Sequence, residues 1–163
     1  MKLVHIVGRQ GQGKTTLVVD LIRELSGRGV RVGSIKHSSH AHELDIPGKD
    51  SQVHRLAGSN PAAVIAENLV GVFMAPATDG DEYARLAPLY SDCEIVIVEG
   101  DIGGSGPKVE VWRAEVSPTP LAAERGDIVA LVTDDATDLA LPRFSRADLR
   151  GIADFVLSLA ART

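Results

Sequence analysis

The chain has 163 residues, 44% of them hydrophobic, and a formal net charge of −5. This length fits one domain with a sizeable buried core, and the acidic balance, without a long lysine and arginine run, counts against nucleic-acid binding. No segment approaches the roughly 20 apolar residues of a membrane-spanning helix. The sole cysteine, Cys93, leaves no intramolecular disulfide and no Cys-x-x-Cys metal site. We therefore expect a cytoplasmic protein that contacts neither nucleic acid nor membrane.

The first elements in chain order are a strand and a helix joined by a glycine-rich loop. Residues 8–15 read Gly-Arg-Gln-Gly-Gln-Gly-Lys-Thr and fit the phosphate-binding pattern G-x-x-x-x-G-K-[ST] without a mismatch. An apolar run at 3–7 precedes the loop, and apolar residues at helical spacing follow it at 17–25. This context predicts nucleotide binding at a helix N-terminus; a plain glycine turn is the simpler alternative.

The residues of this loop have distinct expected roles. Lys14 should reach the outer phosphates, and the Thr15 hydroxyl should ligate Mg²⁺. The glycines allow backbone N–H groups to turn toward a phosphate. The predicted nucleotide-binding set in this segment is Gly8, Gln10, Gly11, Gln12, Gly13, Lys14, Thr15 and Thr16.

Apolar strands alternate with helices along the rest of the chain, which predicts a mostly parallel sheet. The expected strands are 30–36, 95–98, 109–112 and 128–132. The expected helices are 50–56, one near 83–90 capped by Thr78 with Asp81, and a C-terminal one opened by a Ser145–Asp148 capping box. Residues 62–66 and 69–74 predict an antiparallel hairpin within the sheet.

These elements together predict one α/β domain over residues 1–163. Its fold class is the three-layer fold of phosphate-loop NTPases, with a mostly parallel sheet, helices on both faces and one antiparallel hairpin.

Glu99 stands at the end of the clearest central strand, after the apolar run 95–98. In open α/β sheets, ligands bind at the carboxyl ends of strands, and Mg²⁺-associated carboxylates occupy such positions in phosphate-loop proteins. Glu99 is therefore a candidate to hold a metal-bound water or to orient an attacking water. The alternative is a strand-end glutamate that faces solvent.

The polar loop after the second strand also carries possible metal ligands. Asp45 and Asp50 are candidate carboxylates for Mg²⁺ or for a loop that senses the γ-phosphate. His37, His40 and His42 could converge on zinc or nickel. An ordinary solvated loop explains the same residues.

Asp134 and Asp135 follow the last strong strand. A carboxylate there could accept hydrogen bonds from guanine N1–H and N2–H₂, which adenine cannot supply together. An ordinary aspartate turn is an equal alternative. Since the usual Asn-Lys-x-Asp guanine pattern is absent, these residues leave GTP and ATP both open.

Several short sequence motifs between residue 8 and about residue 113 resemble, in the same order, motifs of one protein family. They are Gly13-Lys14-Thr15-Thr16-Leu17, Ile35-Lys36-His37, Asp45 with Pro47-Gly48-Lys49-Asp50-Ser51, Arg55 with Ala57-Gly58, Val98-Glu99-Gly100, and Pro107-Lys108-Val109-Glu110-Val111 with Arg113. On these residues the sequence resembles the molybdopterin-guanine dinucleotide biosynthesis adapter proteins, the MobB family. One departure is Asp101, where family members usually carry an aromatic residue.

The resemblance implies a homodimeric, cytoplasmic GTP-binding protein with weak GTPase activity and GTP and Mg²⁺ as cofactors. Its implied partner is the guanylyltransferase that joins GMP to molybdopterin, with molybdopterin itself a further candidate ligand. Carried over to this chain, Lys14, Asp50 and Glu99 become the catalytic candidates, and Thr15 joins the two acidic residues at the metal. His37 and Lys108 become candidate contacts to a nucleotide or pterin phosphate.

Two other functions remain open from the residues. A nickel or zinc metallochaperone GTPase would use His37, His40 and His42, although the scarcity of cysteine counts against it. An ATP-dependent small-molecule kinase would use an arginine lid. The candidate lid residues are Arg143, Arg146 and Arg150. Ordinary solvated charges on a C-terminal helix are a better explanation of these arginines.

Overall fold

The structure is a computed structural model that describes residues 1–78 and 80–161. The chain divides into two compact units, a larger one formed by Met1–Ser39 with Leu89–Thr163 and a smaller one formed by His40–Pro88. The prediction of a single domain over the whole chain stays a prediction. No helix in the described part of the chain is both long and apolar enough to cross a membrane.

Strands and helices alternate in the first part of the chain, as the sequence pattern predicts. In chain order they are β1 (Leu3–Val7), α1 (Lys14–Gly27), β2 (Val32–Lys36), α2 (Asp50–Leu56), β3 (Ala62–Ile65), β4 (Val70–Phe73), α3 (Glu82–Leu86), β5 (Ile95–Glu99), β6 (Lys108–Val111), β7 (Ile128–Val132), β8 (Arg143–Phe144) and α4 (Leu149–Ala160). In contrast to the first part, β3–β4 and β5–β8 follow one another without an intervening α-helix. Short 3₁₀ turns span Ala87–Tyr90 and Leu121–Ala123.

The larger unit is built on a six-stranded sheet in the order β2-β5-β1-β6-β7-β8. Its strand pairs are parallel, which confirms the predicted fold class. Parallel pairing places the carboxyl ends of β1, β2 and β5 at one edge of the sheet. The loops that follow these strands carry the candidate site residues.

One face of this sheet forms the apolar core of the larger unit. Alternate residues of the strands, such as Val4 and Ile6 on β1, point to α1 and α4. The helices contribute the matching buried side chains Leu17, Val18, Leu21, Leu25, Ile152, Ala153, Val156 and Ala160. This core fixes the strand ends and the start of α1 relative to each other.

The opposite side of β1 and β6 carries buried polar residues. His5, Lys108 and Glu110 alternate with core residues on these strands and are each at most 3% exposed. The His5 ring nitrogen Nε2 lies 2.8 Å from the Ser105 carbonyl oxygen. These groups hold loops on the sheet through hydrogen bonds, because buried polar atoms need partners.

The start of α4 differs from the prediction. Its N-cap is Asp148, whose Oδ1 accepts a hydrogen bond from the Gly151 N–H at 3.0 Å. Ser145 instead donates its hydroxyl to Asp134 Oδ1 at 2.5 Å. The predicted capping box is wrong because the two-residue strand β8, which the sequence did not predict, ends directly before Ser145.

The smaller unit contains α2, α3 and the hairpin β3–β4. Helix α2 has the bounds predicted from the sequence, and the hairpin pairs antiparallel with Ile65 opposite Val70. The hairpin is a separate two-stranded sheet rather than part of the large one. Helix α3 is capped by Asp81, which accepts from the Ala84 N–H at 2.9 Å, and not by Thr78.

Candidate nucleotide-binding site

The glycine loop between β1 and α1 has a backbone that other residues would not adopt without strain. Gly8 has a φ of 142°, and a Cβ added to it would lie 2.5 Å from the Val111 carbonyl oxygen. Gly13 has a φ of 90° in the left-handed region and is the N-cap of α1. The loop therefore turns sharply into the helix, whose first N–H groups remain available to an anion.

Lys14 lies across this loop. Its Nζ donates to the carbonyl oxygens of Gly8 and Arg9, both at 2.8 Å. Burial and then the nearby Lys36 charge lower the pKa of Lys14, and Glu99 opposes this effect. The Lys14 ammonium donates its hydrogen bonds to neutral carbonyl oxygens here. A phosphate oxygen is a stronger acceptor, so the ammonium is placed to donate to a bound phosphate instead.

Glu99 lies below the loop and does not face solvent, since it is only 6% exposed. Its Oε1 accepts the Thr15 hydroxyl at 2.6 Å and forms an ion pair with the Lys36 ammonium. The pair follows from the sheet register, in which Lys36 on β2 lies beside Glu99 on β5. The structure thus brings together Thr15 and Glu99, two residues predicted at the metal site, and places Lys36 beside them.

Opposing influences act on the Glu99 carboxyl. Burial alone would raise its pKa, but the hydrogen bonds from Lys36 and Thr15, together with the charges of Lys36 and Lys14, lower the pKa below its ordinary value. Glu99 is therefore ionised at neutral pH. An ionised carboxylate is a good ligand for Mg²⁺ or for a metal-bound water and a weak proton acceptor.

Gln12 is a buried residue of the glycine loop, and its sequence position indicates only a phosphate-loop residue. It is 1% exposed, and its Oε1 accepts the Arg113 backbone N–H at 2.6 Å. The Arg113 guanidinium in turn donates to the Gly11 carbonyl oxygen. Gln12 and Arg113 thereby tie the phosphate loop to the segment after β6. This connection joins residues about a hundred positions apart, so that no local pattern could predict it.

A cavity of about 310 Å³ lies beside the loop in the larger unit. Its lining includes Gln12, Gly13, Thr16, Trp112, Arg113, Thr133, Asp134, Asp135 and Arg146. Asp135 Oδ2 accepts the Ala114 N–H at 2.8 Å, and Asp134 accepts from Ser145 as described above. Both predicted base-contacting aspartates therefore border the same cavity as the phosphate loop.

The remaining loop candidates of the larger unit are placed differently. Gln10 is exposed at the tip of the loop, and His37 is exposed, with its backbone N–H donating to the Glu99 carbonyl oxygen at 3.0 Å. Lys108 is buried, and its Nζ contacts the Gly104 carbonyl oxygen at 2.6 Å and Asp127 Oδ2 at 3.1 Å. Lys108 thus holds the loop between β5 and β6, and its contact to a ligand phosphate stays a prediction.

The second metal candidate, Asp50, lies in the smaller unit as the exposed first residue of α2. Its role at Mg²⁺ stays a prediction. Among residues 1–78 and 80–161, no group of three His, Cys, Asp or Glu side chains is arranged to hold a metal ion. The histidine cluster expected of a nickel or zinc metallochaperone is therefore not assembled in the part of the chain that the structure describes.

The three arginines considered for a kinase lid lie in different elements. Arg143 is on β8, and Arg150 is in the first turn of α4. Arg146 binds Asp20 Oδ2 on α1 at 2.8 Å. Their charges are thus distributed over a strand, a turn and a helix rather than presented on one mobile segment.

The chain is similar to known proteins over most of its length. The family model for molybdopterin guanine dinucleotide synthesis protein B matches residues 3–134. The molybdopterin-guanine dinucleotide biosynthesis adapter protein of Escherichia coli K12 is 32% identical over 161 residues, which cover 95% of this chain and 91% of the relative. The protein of the same name from Haemophilus influenzae is 31% identical, with 94% and 86% covered.

The fold agrees as well. The crystal structure of Bacillus subtilis MobB superimposes with a TM-score of 0.76 at 26% identity, and 98% of each chain is covered. Family model, relatives and fold all extend over the glycine loop and the strand that ends at Glu99. The chain therefore belongs to the MobB family.

Proposed function

We propose that this chain binds GTP with Mg²⁺ and acts in the cytoplasm as an accessory protein in the synthesis of molybdopterin guanine dinucleotide. The observation that carries the nucleotide part is the arrangement of Thr15, Glu99 and Lys36 beside a loop whose backbone requires glycine. The synthesis part is supported by the family and by relatives named as biosynthesis adapter proteins.

The residues present fit a magnesium nucleotide. The glycine loop and the start of α1 offer backbone donors to phosphate oxygens, and the Lys14 ammonium lies over the same loop. The Thr15 hydroxyl and the Glu99 carboxylate are oxygen donors of the kind that Mg²⁺ prefers. When bound, Mg²⁺ would neutralise phosphate charge at these two oxygen donors.

Hydrolysis by this site should be slow. Lys14 stabilises negative charge on the outer phosphates, and Glu99 orients a water. Because its pKa is lowered, Glu99 accepts a hydrogen bond from water but is a poor base for removing a proton. A weak GTPase that supports binding and release is the activity that these groups favour.

The cavity beside the loop supports the choice of GTP. Asp134 and Asp135 bring two carboxylates to its lining, and carboxylates pair with the N1–H and N2–H₂ donors of guanine. Adenine lacks this pair of adjacent donors. We therefore expect the base to lie in this cavity, with one aspartate as its acceptor.

The partner that we propose is the guanylyltransferase that attaches GMP to molybdopterin. We also propose a homodimer formed through the β3–β4 hairpin. Its strands expose Val64, Ile65, Val70 and Val72 with 42% to 83% of each residue accessible, and strand edges pair readily with further strands.

The first test is calorimetric titration of the protein with GTP and with ATP in the presence of Mg²⁺. Wild type should bind GTP more tightly than ATP. Lys14→Ala should lose triphosphate binding because the charge over the loop is removed, whereas Lys2→Ala, an exposed lysine at the N-terminus, should bind like wild type. Equal affinity of Lys14→Ala and wild type for GTP would show that the loop does not bind the nucleotide.

The adapter role has its own assay. Guanylation of molybdopterin by the cognate transferase is measured at limiting GTP, with and without this chain. Wild type should raise the rate and Lys14→Ala should not, since delivery depends on bound GTP. A rate unaffected by the wild-type chain would contradict the adapter role while leaving GTP binding in place.

A further inference from the structure

A second cavity, of about 740 Å³, lies within the smaller unit. It is bordered by the loop before α2, by α2 itself and by the segment after β4, and its lining includes Asp45, Arg55, Asn60, Phe73, Met74 and Glu82. This volume is within the range of small-molecule sites. None of the functions proposed above uses it.

Two residues that border the cavity, Asp45 and Arg55, carry buried polar atoms without a hydrogen-bond partner among the described residues. Asp45 is 5% exposed, and its Oδ1 is occupied by the Ser51 hydroxyl at 2.8 Å and the Ile46 N–H at 2.9 Å. Asp45 Oδ2 and Arg55 Nε are buried and have no hydrogen-bond partner among residues 1–78 and 80–161. The two side chains form a long ion pair, but a buried polar atom without a hydrogen bond is costly.

These two atoms are 3.9 Å apart, which is too far for a direct hydrogen bond. The remainder of the Arg55 guanidinium is fixed, because its Nη2 donates to Glu43 Oε1 at 2.6 Å. The pair therefore suits a third group that presents a donor to Asp45 Oδ2 and, next to it, an acceptor to Arg55 Nε.

The charge of the lining argues against an anionic ligand. Glu43, Asp45 and Glu82 contribute three carboxylates, and Arg55 and His42 are the basic residues beside them. A phosphate would be repelled by this excess of negative charge. A neutral group rich in N–H donors is the better match.

The lining also offers an apolar surface. The half-buried Phe73 and Met74 border the cavity together with Val72. An aromatic ring and a thioether both pack favourably against a flat conjugated ring. The ligand class that satisfies charge, hydrogen bonding and shape together is a planar heterocycle with an amide edge.

We propose that this cavity binds the 2-amino-4-oxo-pyrimidine edge that pterins and guanine share. Its ring N–H and amino group donate to Asp45 Oδ2, its carbonyl oxygen accepts from Arg55 Nε, and its ring plane packs on Phe73 and Met74. This inference rests on the proposed function only for the choice of a pterin as the first probe.

The test is fluorescence titration of the full chain with pterin and, in a competition arm, with guanosine. Wild type should bind one or both probes. Asp45→Asn, which replaces the charged acceptor, should weaken binding by about tenfold to a hundredfold. Arg55→Lys, which keeps a cation beside Glu43 but removes the Nε donor, should also weaken it. Glu67→Gln, in the hairpin turn outside this lining, should bind like wild type.

Further arms separate this site from the nucleotide site. Lys14→Ala should retain pterin binding, whereas loss of pterin binding in that variant would place the probe at the glycine loop and overturn the proposal. Lumazine, which has a carbonyl in place of the amino group, should bind more weakly than pterin. Guanosine binding without pterin binding, lost in Asp45→Asn, would support the shared edge and identify guanine as its source.

Two results would contradict the inference directly. One is no binding of either probe to wild type while GTP still binds at the glycine loop, which would mean that water alone bridges Asp45 and Arg55. The other is unchanged affinity in both Asp45→Asn and Arg55→Lys when circular dichroism shows that each is folded. Neither result would affect the proposed GTP binding.

Discussion

Glu110 is a buried carboxylate that the nucleotide site does not use. It is 1% exposed on β6, and its two oxygens accept the N–H groups of Leu121 at 2.7 Å and Ala122 at 2.8 Å. It thereby anchors the start of the 3₁₀ turn Leu121–Ala123. Burial raises the pKa of Glu110, and the two backbone hydrogen bonds and the Arg9 charge oppose this only in part.

This raised pKa predicts a pH-dependent loss of stability. A carboxyl with a higher pKa in the folded than in the unfolded state binds its proton more tightly when folded. The stabilisation that this proton binding contributes to the folded state is complete below the pKa of the unfolded state, about 4.3. It is lost as pH rises through the pKa of the folded state. Glu110→Gln removes this titration, so wild type should lose unfolding free energy relative to the variant as pH rises from about 4.3 through the raised pKa of the folded state.

Urea denaturation at several pH values in this range measures the effect. The comparison concerns the slopes of unfolding free energy against pH. In Glu110→Gln the amide NH₂ group, itself a donor, faces the Ala122 N–H, and this mismatch lowers stability by a roughly constant amount at every pH. Parallel stability curves for the two proteins would show that Glu110 does not titrate differently in the folded state. Glu67→Gln, which replaces an exposed carboxylate in the hairpin turn, provides a control for removing one negative charge.

The predictable part of the site was the part determined by local sequence. The glycine loop and Glu99 could be identified because each follows an apolar strand directly. The Lys36–Glu99 ion pair could not, since it depends on β2 lying beside β5. The contact between Gln12 and Arg113 likewise depends on β6 lying beside β1. Sheet order decides these contacts, and residue spacing does not reveal it.

At the scale of elements, the sequence predicts the central strands, the helices, including the seven-residue α2, and the β3–β4 hairpin, but not the two-residue strand β8. The four central strands and α4 show sustained apolar patterns, and the structure has them at the expected positions. Strand β8 has two residues and pairs only with the end of β7. Two residues carry no periodicity, so the sequence does not reveal this strand, and Ser145 with Asp148 resembles a capping box.

The corrected cap of α4 gives a prediction at this scale. Asp148→Ala should lower the free energy of unfolding by about 1 kcal/mol, because the Gly151 N–H loses its acceptor. Asp148→Asn keeps an acceptor oxygen and should stay within a few tenths of a kcal/mol of wild type. Chemical denaturation at neutral pH compares the variants. Equal stability of Asp148→Ala and Asp148→Asn would contradict the assigned cap.

At the scale of the whole molecule, the hairpin presents apolar surface that its own unit does not cover. Ile65 is 83% exposed, Leu69 69% and Val70 60%. A two-stranded sheet is only marginally stable by itself, and adjoining exposed apolar residues of this kind mark interaction sites. A second copy of the chain can supply both missing features, because its own hairpin offers the same apolar side chains and the same unpaired strand edges.

A homodimer formed in this way predicts that charge on the hairpin separates the subunits. Ile65 and Val70 lie opposite each other in the β3–β4 register, so Ile65→Glu with Val70→Glu places two like charges on the surface that would be buried. Light scattering coupled to size exclusion should show a dimer for wild type and a monomer for the double variant, with Glu67→Gln as a dimeric control. Because the glycine loop belongs to the larger unit, the monomeric variant should still bind GTP. A monomeric wild type, or a double variant that stays dimeric, would exclude this hairpin as the dimer contact.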